Sequence, residues 1–215
     1  MPTIAYRNKA GERISGVTTI IGGNLGWNKQ PLMYWAWKEG SEGRHFRDTS
    51  QKAADAGTIG HYLIDCDIKG IKPDLSQYSQ ELIDKAETCY LNFLEWKKMV
   101  NLKVETTEIN LVSEEYQYGA TPDCIGILVD KLALVDWKTG NGVYPDMLLQ
   151  LAAYRVAWEE NYCDKPLVGG FHLLRIGKED ASFHHHHWAA LPEAWEAIKH
   201  CLALHNLQKI LKKQA

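Results

Sequence analysis

Two apolar runs separated by only two polar residues constrain this fold more than any other feature of the chain. The runs are CIGILV at 124–129 and LALVDW at 132–137, and Asp130-Lys131 lies between them. Runs rich in β-branched and aliphatic residues with so short a polar connection are typical of an antiparallel hairpin with a two-residue turn. The sequence therefore predicts a sheet that contains this hairpin.

The register of the hairpin predicts a cluster of charged side chains. With residues 130–131 as the turn, Asp123 lies opposite Lys138. Residues two apart on a strand share a face, and so do residues directly opposite each other on an antiparallel ladder. Asp123, Asp136 and Lys138 are therefore predicted to converge at the open end of the hairpin.

Two carboxylates and an ammonium at one place suit the hydrolysis of a phosphodiester bond. Carboxylates are the oxygen ligands that Mg²⁺ and Mn²⁺ prefer. Such an ion stabilises charge on a phosphate and lowers the pKa of a coordinated water, which the lysine can orient or deprotonate. The alternative is a cross-strand Asp–Lys salt bridge on a solvated face, and the hairpin alone leaves both interpretations open.

The pattern outside the hairpin predicts helices around a central sheet. Apolar residues recur at three- and four-residue steps over 77–100, which is typical of a helix packed on a core. Residues 17–21 suit either a strand or the start of a helix. The fold class that we expect is α/β, with a central mixed sheet and its antiparallel hairpin flanked by helices. Further helices are predicted over 31–40 with Pro31 at its first position, 50–69 with interruptions at Gly57 and Gly60, 145–160 and 192–212, and further strands over 102–112, 171–176 and 181–189.

Length and charge favour one domain without a general affinity for nucleic acid. The 215 residues carry 24 Lys and Arg against 27 Asp and Glu, which excludes a basic coat but permits a local basic channel. We expect a single domain over 1–215, with a mainly helical part over 1–100, a catalytic sheet and helix over 101–160, and a hairpin and helix over 161–215.

Targeting and cysteine patterns point to the cytoplasm. No apolar run approaches the roughly 18 residues of a membrane helix, and the N-terminus lacks the apolar stretch of a signal peptide. The five cysteines form no CxxC pair, so we expect reduced, mostly buried thiols. The internal run of four histidines at 184–187 is expected in a solvated or edge strand.

Several sequence blocks resemble one nuclease family. Asp123 followed by Asp136-Trp137-Lys138 resembles the D…(D/E)xK signature of the PD-(D/E)xK superfamily. TPDCIG at 121–126, LVDWKTG at 134–140 and QLAAY at 150–154 are similar to blocks of its RecB-type branch, which includes phage exonucleases, mitochondrial genome-maintenance exonucleases and CRISPR adaptation nucleases. GVTTIIG at 16–22 and GTIGH at 57–61 resemble phage members. The late cysteines are too far apart for the iron–sulfur cluster that some members carry.

The resemblance implies a restriction-endonuclease-like core and assigns site residues. It makes Lys138 the catalytic lysine and points Gln150 and Tyr154 towards the active site and the DNA backbone. Glu108 matches a glutamate of several members, although Glu105 and Glu115 are alternatives. One or two Mg²⁺ or Mn²⁺ ions are implied. The implied ligands are His61, Asp123, Asp136 and the main-chain carbonyl of Trp137.

The implied activity is metal-dependent DNA exonuclease action in phage-type recombination, replication or repair. The alternatives are a structure-specific endonuclease and a DNA-end-binding protein that does not cleave. The expected partner is DNA that is single-stranded or has a free end, with a single-strand annealing protein as a further partner and no membrane. The oligomeric state stays open, and the compartment implied for a phage protein is the host cytoplasm. The candidate DNA contacts are the aromatic and basic residues Trp27, Lys29, Trp35, Lys38, Arg44 and Arg47.

Overall fold

The computed structural model describes residues 5–27, 29–177 and 182–214, and within them helices surround two sheets. The elements in chain order are β1 (Ser15–Gly16), α1 (Val17–Asn24), α2 (Lys29–Ser41), α3 (Phe46–Lys69), α4 (Gln80–Val100), β2 (Lys103–Thr107), β3 (Leu111–Ser113), β4 (Tyr118–Ala120), β5 (Cys124–Leu128), β6 (Lys131–Lys138), α5 (Pro145–Asn161), β7 (Phe171–Ile176), β8 (Phe183–Trp188) and α6 (Pro192–Gln214).

The larger sheet is mixed and has the strand order β2-β5-β6-β7-β8. Its β6–β7 pair is parallel, and its other three pairs are antiparallel. The smaller sheet has the order β1-β4-β3 and is also mixed, because β1 and β4 run parallel. The predicted α/β class is confirmed, with a central mixed sheet that contains the β5–β6 hairpin.

Strand β6 is buried on both faces, which accounts for its nearly continuous apolar run. Leu134 belongs to a core with side chains of α1, α5 and α6 on one face. Val135 belongs to a second core with side chains of α3 and α4 on the opposite face. Helices therefore cover the sheet on both sides, and the polar side chains at the end of β6 lie beside two hydrophobic cores.

The turn of the β5–β6 hairpin begins one residue earlier than the sequence predicts. Leu128 pairs with Lys131, so the turn is Val129-Asp130, with positive φ angles of 48° and 62°. Positive φ at both central residues matches the twist of a two-residue hairpin. Leu128 is 3% exposed and Val129 is 82% exposed, so burial of the leucine outweighs the strain of a β-branched residue in the turn.

This change of register corrects the predicted cross-strand partner of Asp123. Cys124 pairs with Val135, so the next step of the ladder places Asp123 opposite Asp136, and the prediction of Lys138 was wrong. The shift along β6 is two residues, and a shift of two leaves every side chain on its predicted face. The carboxylates and the lysine therefore still share one face.

The predicted strand over 102–112 is divided between the two sheets. Strand β2 pairs with β5 in the larger sheet, and β3 pairs with β4 in the smaller one. The break falls at Glu108, which has a φ of 49°. An alternating pattern does not reveal such a break, because the chain is extended on both sides of it.

Three of the helices differ from their predicted course. Residues 17–21 begin α1, and Gly22 and Gly23 lie inside that helix. Helix α2 begins at Lys29, so Pro31 is its third residue. Helix α3 continues without interruption through Gly57 and Gly60 to the left-handed Gly70. A Cβ at Gly60 would lie 3.5 Å from Cβ of Cys89, so this glycine allows α3 and α4 to pack closely.

The remaining helices and strands confirm their predicted positions to within a few residues, although residues 178–181 of the second hairpin lie outside the described part of the chain. No cysteine pair forms a disulfide, and Cys163 is exposed while the other four thiols are buried. No helix among the described residues has both the length and the apolar character needed to cross a membrane.

Candidate metal and active site

Strand β6 brings Asp136 and Lys138 to the same face at its C-terminal end. The Lys138 Nζ lies 2.8 Å from Oδ2 of Asp136, whose side chain is completely buried. Burial raises the pKa of Asp136 to about 6, although the Lys138 ammonium opposes that shift. Burial would lower the pKa of Lys138, but Asp136 and Asp123 together outweigh it and hold that pKa above its ordinary value. The lysine is therefore an ammonium at neutral pH.

Asp123 immediately precedes β5 and links that strand to β6. Its Oδ2 accepts a hydrogen bond of 3.0 Å from the backbone N–H of Trp137, and its Oδ1 lies 3.7 Å from Nδ1 of His61. Burial raises the pKa of Asp123. The Trp137 ring is buried between the Phe93 ring at 5.3 Å and the His61 ring at 6.0 Å. Its main chain thus borders the site, while its indole belongs to the core.

One ligand atom from each of His61, Glu108 and Asp123 lies within 4.8 Å of the other two. His61 comes from α3, and Glu108 follows β2 in a left-handed conformation that turns the chain out of the larger sheet. Burial, followed by the charges of Asp123 and Asp65, raises the pKa of Glu108 to about 7. An imidazole and carboxylates at these separations are able to hold a divalent cation.

Of the three glutamates considered from the sequence, only Glu108 reaches this group. Glu105 lies at a register shift of β2 and is 3.8 Å from Lys165 on the surface. Glu115 is exposed in the turn between β3 and β4. The bulge at Glu105 and the break at Glu108 thus decide which carboxylate enters the site.

The donor set fits a hard divalent metal ion. Oδ1 of Asp136 is buried and has no hydrogen-bond partner among the described residues. A buried carboxylate oxygen without a partner is costly unless it receives a cation or a proton. Asp136 is close enough to Asp123 and His61 for their charges to act on it, so a cation held by His61, Glu108 and Asp123 would also offset the charge of Asp136.

Helix α5 adds Gln150 and Tyr154, one helical turn apart. Gln150 Nε2 donates a hydrogen bond to the Tyr154 hydroxyl. Burial and the charges of Asp136 and Asp123 raise the pKa of Tyr154 well above its ordinary value. The phenol is only 5% exposed, so it borders the carboxylates from inside the protein and presents little surface to a bound strand.

A cleft of about 530 Å³ opens beside the lysine. Its α3 wall is formed by small residues, and the Lys138 end of β6 and the start of α5 form the opposite wall. His61 and Lys138 both line the cleft, beside the small side chains of α3. The lining residues are Ala53, Ala54, Gly57, Thr58, His61, Lys138, Thr139, Gly140 and Met147.

The candidate DNA contacts do not belong to the His61–Asp123 group. They lie on or beside α2 and the first turn of α3. Arg44 is committed to Glu39 through two hydrogen bonds of 2.8 and 2.7 Å, and Lys38 lies 4.0 Å from Glu42. Trp27 is exposed, whereas Trp35 meets Phe46 edge to face. Lys29 is exposed, and Arg47 lies 5.8 Å from the Phe46 ring centre.

Two further features of the site had no motif in the sequence. Tyr6 reaches the neighbourhood of Glu108 from the N-terminal segment and bonds to Thr121 at 2.7 Å. Arg175 of β7 is buried and donates to the main-chain carbonyls of Gly140 at 3.1 Å and Asn141 at 3.3 Å. A charged residue within the apolar run FHLLRI is the only sequence sign of the second feature.

No protein-family model and no curated protein matches the sequence. The structure is similar to the crystal structure of a "Putative exonuclease" from Eubacterium rectale, with a TM-score of 0.51 and 14% sequence identity. The similarity covers 73% of this chain and 66% of that one, so it spans slightly less than two thirds of the neighbour. At this identity the likeness shows a shared mixed α/β fold.

Proposed function

We propose that this protein is a metal-dependent DNA exonuclease of the RecB-type branch of the PD-(D/E)xK superfamily. The observation that carries the proposal is the Asp136–Lys138 pair beside the His61, Glu108 and Asp123 group, with His61 and Lys138 lining a cleft. Acidic and imidazole ligands next to an ammonium form a set of groups suited to phosphodiester hydrolysis.

In this proposal one or two Mg²⁺ or Mn²⁺ ions are held by His61, Glu108, Asp123 and Asp136, with the Trp137 carbonyl as a further ligand. The ion supplies charge neutralisation on the phosphate and makes a water more acidic. Lys138 supplies an ammonium that orients the attacking water and offsets negative charge on the reacting phosphate.

Gln150 and Tyr154 complete the proposed site from α5. The Gln150 amide holds the Tyr154 hydroxyl, and that buried phenol lies near enough to Asp136 and Asp123 to respond to their charges. We assign this pair the ordering of the carboxylate side of the site. Direct contact with the DNA backbone, which the resemblance implies, is better suited to the half-buried Gln150 than to Tyr154.

The proposed path of the DNA strand follows α3 away from the metal site. A second cleft of about 680 Å³ shares Ala53 with the first and is lined in part by Lys52, while Lys85 on its α4 side is paired with Glu81 at 3.2 Å. Lys52 and His61 are nine positions apart on α3, which places them on opposite faces of the helix and about 13 Å apart along its axis. At the 3.4 Å rise of a stacked strand or roughly twice that for an extended one, this distance spans roughly two to four nucleotides.

The aromatic and basic residues of α2 extend this proposed path. Trp27 and Trp37 are exposed, and Tyr34 and Trp37 have ring centres 5.7 Å apart. Exposed aromatic rings interleaved with lysines suit unpaired bases and phosphates. Arg44 is omitted from the proposed contacts because Glu39 and Glu42 hold it.

The test is digestion of linear single- and double-stranded DNA labelled at either end, with Mg²⁺, Mn²⁺ or EDTA. Metal-dependent loss of linear DNA, with circular single strands left intact, is the expected result. Cleavage of the circle would instead favour the structure-specific endonuclease. Binding to DNA ends without any cleavage would favour the end-binding protein. The absence of both binding and cleavage would contradict the proposal.

A further inference from the structure

A chain of three polar side chains connects the N-terminal segment to the candidate metal site. The Tyr6 hydroxyl lies 2.7 Å from Oγ1 of Thr121, and that Oγ1 donates to Oδ1 of Asn110 at 2.9 Å. A threonine hydroxyl has one proton. Since Thr121 gives its proton to Asn110, Tyr6 must be the donor to Thr121.

This chain joins the two segments that carry candidate metal ligands. Asn110 comes two residues after Glu108, and Thr121 comes two residues before Asp123. The same segments are also joined directly, because the N–H of Glu108 donates to the carbonyl of Asp123 at 3.2 Å. The segments are thus tied together both at the ligands and two residues away from them.

The second tie matters because Glu108 has an unfavourable backbone conformation. Its φ of 49° is in the left-handed region, which non-glycine residues adopt only where their surroundings hold them. Thr107 holds the residue on its N-terminal side through a hydrogen bond of 3.1 Å to Asp65 on α3. The chain from Tyr6 holds the C-terminal side at Asn110.

The Tyr6 ring packs against two glycines, whose lack of a side chain leaves room for it. Gly16 and Gly119 are paired across β1 and β4. A Cβ at Gly119 would lie 1.9 Å from Cγ of Tyr6, and a Cβ at Gly16 would lie 2.9 Å from its Cε2. Any larger residue at Gly119 would therefore move the phenol away from Thr121.

We propose that Tyr6 is a positioning residue of the metal site, which acts through Thr121 and Asn110 to fix the separation of Glu108 and Asp123. The inference rests on the proposed function, because it assumes that these carboxylates bind a cation. It also gives the N-terminal segment a part in the site that its sequence does not reveal.

The test measures Mn²⁺ binding to the full chain by calorimetry, together with DNA cleavage over a range of Mn²⁺ concentrations. Tyr6→Phe keeps the ring packed against Gly16 and Gly119 and removes the hydroxyl. Gly119→Ala keeps the hydroxyl and displaces the ring. Each variant is expected to weaken Mn²⁺ binding by up to about tenfold, because removing a direct partner of a metal ligand costs about tenfold or more and Tyr6 acts less directly. Saturating Mn²⁺ should restore most of the cleavage rate.

Two substitutions at Thr121 separate positioning from folding. Thr121→Ser keeps the hydroxyl chain and should bind Mn²⁺ as the wild type does, whereas Thr121→Val breaks the chain and should match Tyr6→Phe. Tyr116→Phe and Gly22→Ala are matched controls away from the site, and circular dichroism confirms that each variant is folded. A misfolded Gly119→Ala protein would leave the comparison to Tyr6→Phe and Thr121→Val.

The inference is overturned if Tyr6→Phe and Thr121→Val bind Mn²⁺ as tightly as a wild type that binds it and cuts DNA. That result would leave the proposed function intact. If the wild type neither binds Mn²⁺ nor cuts DNA in any metal, the proposed function fails and this inference fails with it.

Discussion

The Lys138 ammonium lies 2.8 Å from the carboxylate of Asp136, two residues earlier on the same strand. Asp136 is completely buried, so the lysine offsets a charge that water does not reach. Asp123, across the hairpin, adds a second carboxylate to the same ammonium. One lysine thus neutralises part of an acidic site in which a cation would do the same.

Loss of this ammonium should destabilise the metal-free protein. We expect Lys138→Ala to lower the free energy of unfolding at pH 7.5 by about 1–3 kcal/mol, because a buried carboxylate loses its partner. Saturating Mg²⁺ should recover part of that loss by replacing the charge. Urea denaturation with EDTA and with Mg²⁺ measures both. Lys85→Ala, which removes a surface pair with Glu81, is the control, and an equal loss in both variants would contradict the prediction.

Glu108 should make the metal-free protein less stable as the pH rises. Its folded pKa of about 7 exceeds the ordinary 4.5, so its contribution is complete below about pH 4.5 and is lost as the pH rises through 7. Glu108→Gln has no such loss. Because Glu108 is partly exposed, we expect the stability of the variant relative to wild type to rise by about 1–2 kcal/mol between pH 4.5 and 8. Denaturation curves in EDTA across this range provide the test, and a constant difference would contradict it.

The hairpin turn offers a stabilising substitution. Val129 is a β-branched residue with a φ of 48°, and Asp130 follows with 62°. Asn-Gly is the pair that best suits a turn with two positive φ angles. We expect the Val129→Asn, Asp130→Gly double variant to gain about 1 kcal/mol, measured as a higher urea midpoint with DNA cleavage unchanged. A lower midpoint would mean that the turn is not Val129-Asp130.

The convergence of Asp123, Asp136 and Lys138 could be predicted from alternation alone. A strand repeats every two residues, and the error in the ladder was itself two residues along β6, so the faces were unaffected. The turn was harder to predict because its position depends on burying Leu128, and a polar Asp-Lys pair looks more turn-like than Val-Asp. Residue type alone therefore predicts the wrong turn, because burial of Leu128 in the core determines where the turn lies.

Features that depend on distant contacts could not be predicted. Tyr6 and Thr121 are 115 positions apart, and the pairing of β1 with β4 helps to bring them together. The resemblance favours Glu108 over Glu105, but the place of Glu108 in the site depends on the bulge in β2 and on the bend between β2 and β3. The sequence predicts Arg44 as a phosphate contact because it does not reveal the salt bridges to Glu39 and Glu42. Those salt bridges depend on the fold of the α2–α3 connection.

A cluster of histidines on β7 and β8 predicts a pH effect opposite to that of Glu108, because here stability is lost as the pH falls. Nδ1 of His172 and Nε2 of His185 are 2.8 Å apart, and Trp96 donates to His185 Nδ1 at 3.3 Å. Burial, followed by the charges of His187 and His185, lowers the pKa of His172 to about 4. Its ordinary pKa is 6.5, so this stabilisation is complete above pH 6.5 and is lost as the pH falls towards 4.

Replacement of His172 should remove this acid sensitivity. Between pH 7 and 4.5, wild type should lose about 1–2 kcal/mol more stability than His172→Gln, after allowance for the partial exposure of the ring. Guanidinium denaturation at the two pH values measures the difference. The exposed His200→Gln is the control. An identical acid loss in wild type and His172→Gln would rule out the cluster as its cause.

Lys52 tests the proposed path along α3. Lys52→Ala should raise KM for a single strand of ten or more nucleotides and leave cleavage of a dinucleotide unchanged, because only the longer substrate reaches the second cleft. Removal of one phosphate contact should also reduce the salt dependence of binding by about one unit of slope or slightly less. Lys103→Ala on β2 is the control. Equal effects of Lys52→Ala on both substrates would contradict the path.

The most direct test of the central claim compares wild type, Asp136→Asn and Lys138→Ala in cleavage of end-labelled linear DNA with Mn²⁺, Mg²⁺ or EDTA. The account predicts metal-dependent cleavage by wild type and a loss of at least a hundredfold in each folded variant, with Lys103→Ala active. Cleavage by Asp136→Asn and Lys138→Ala at the wild-type rate, or cleavage by wild type in EDTA, would contradict it.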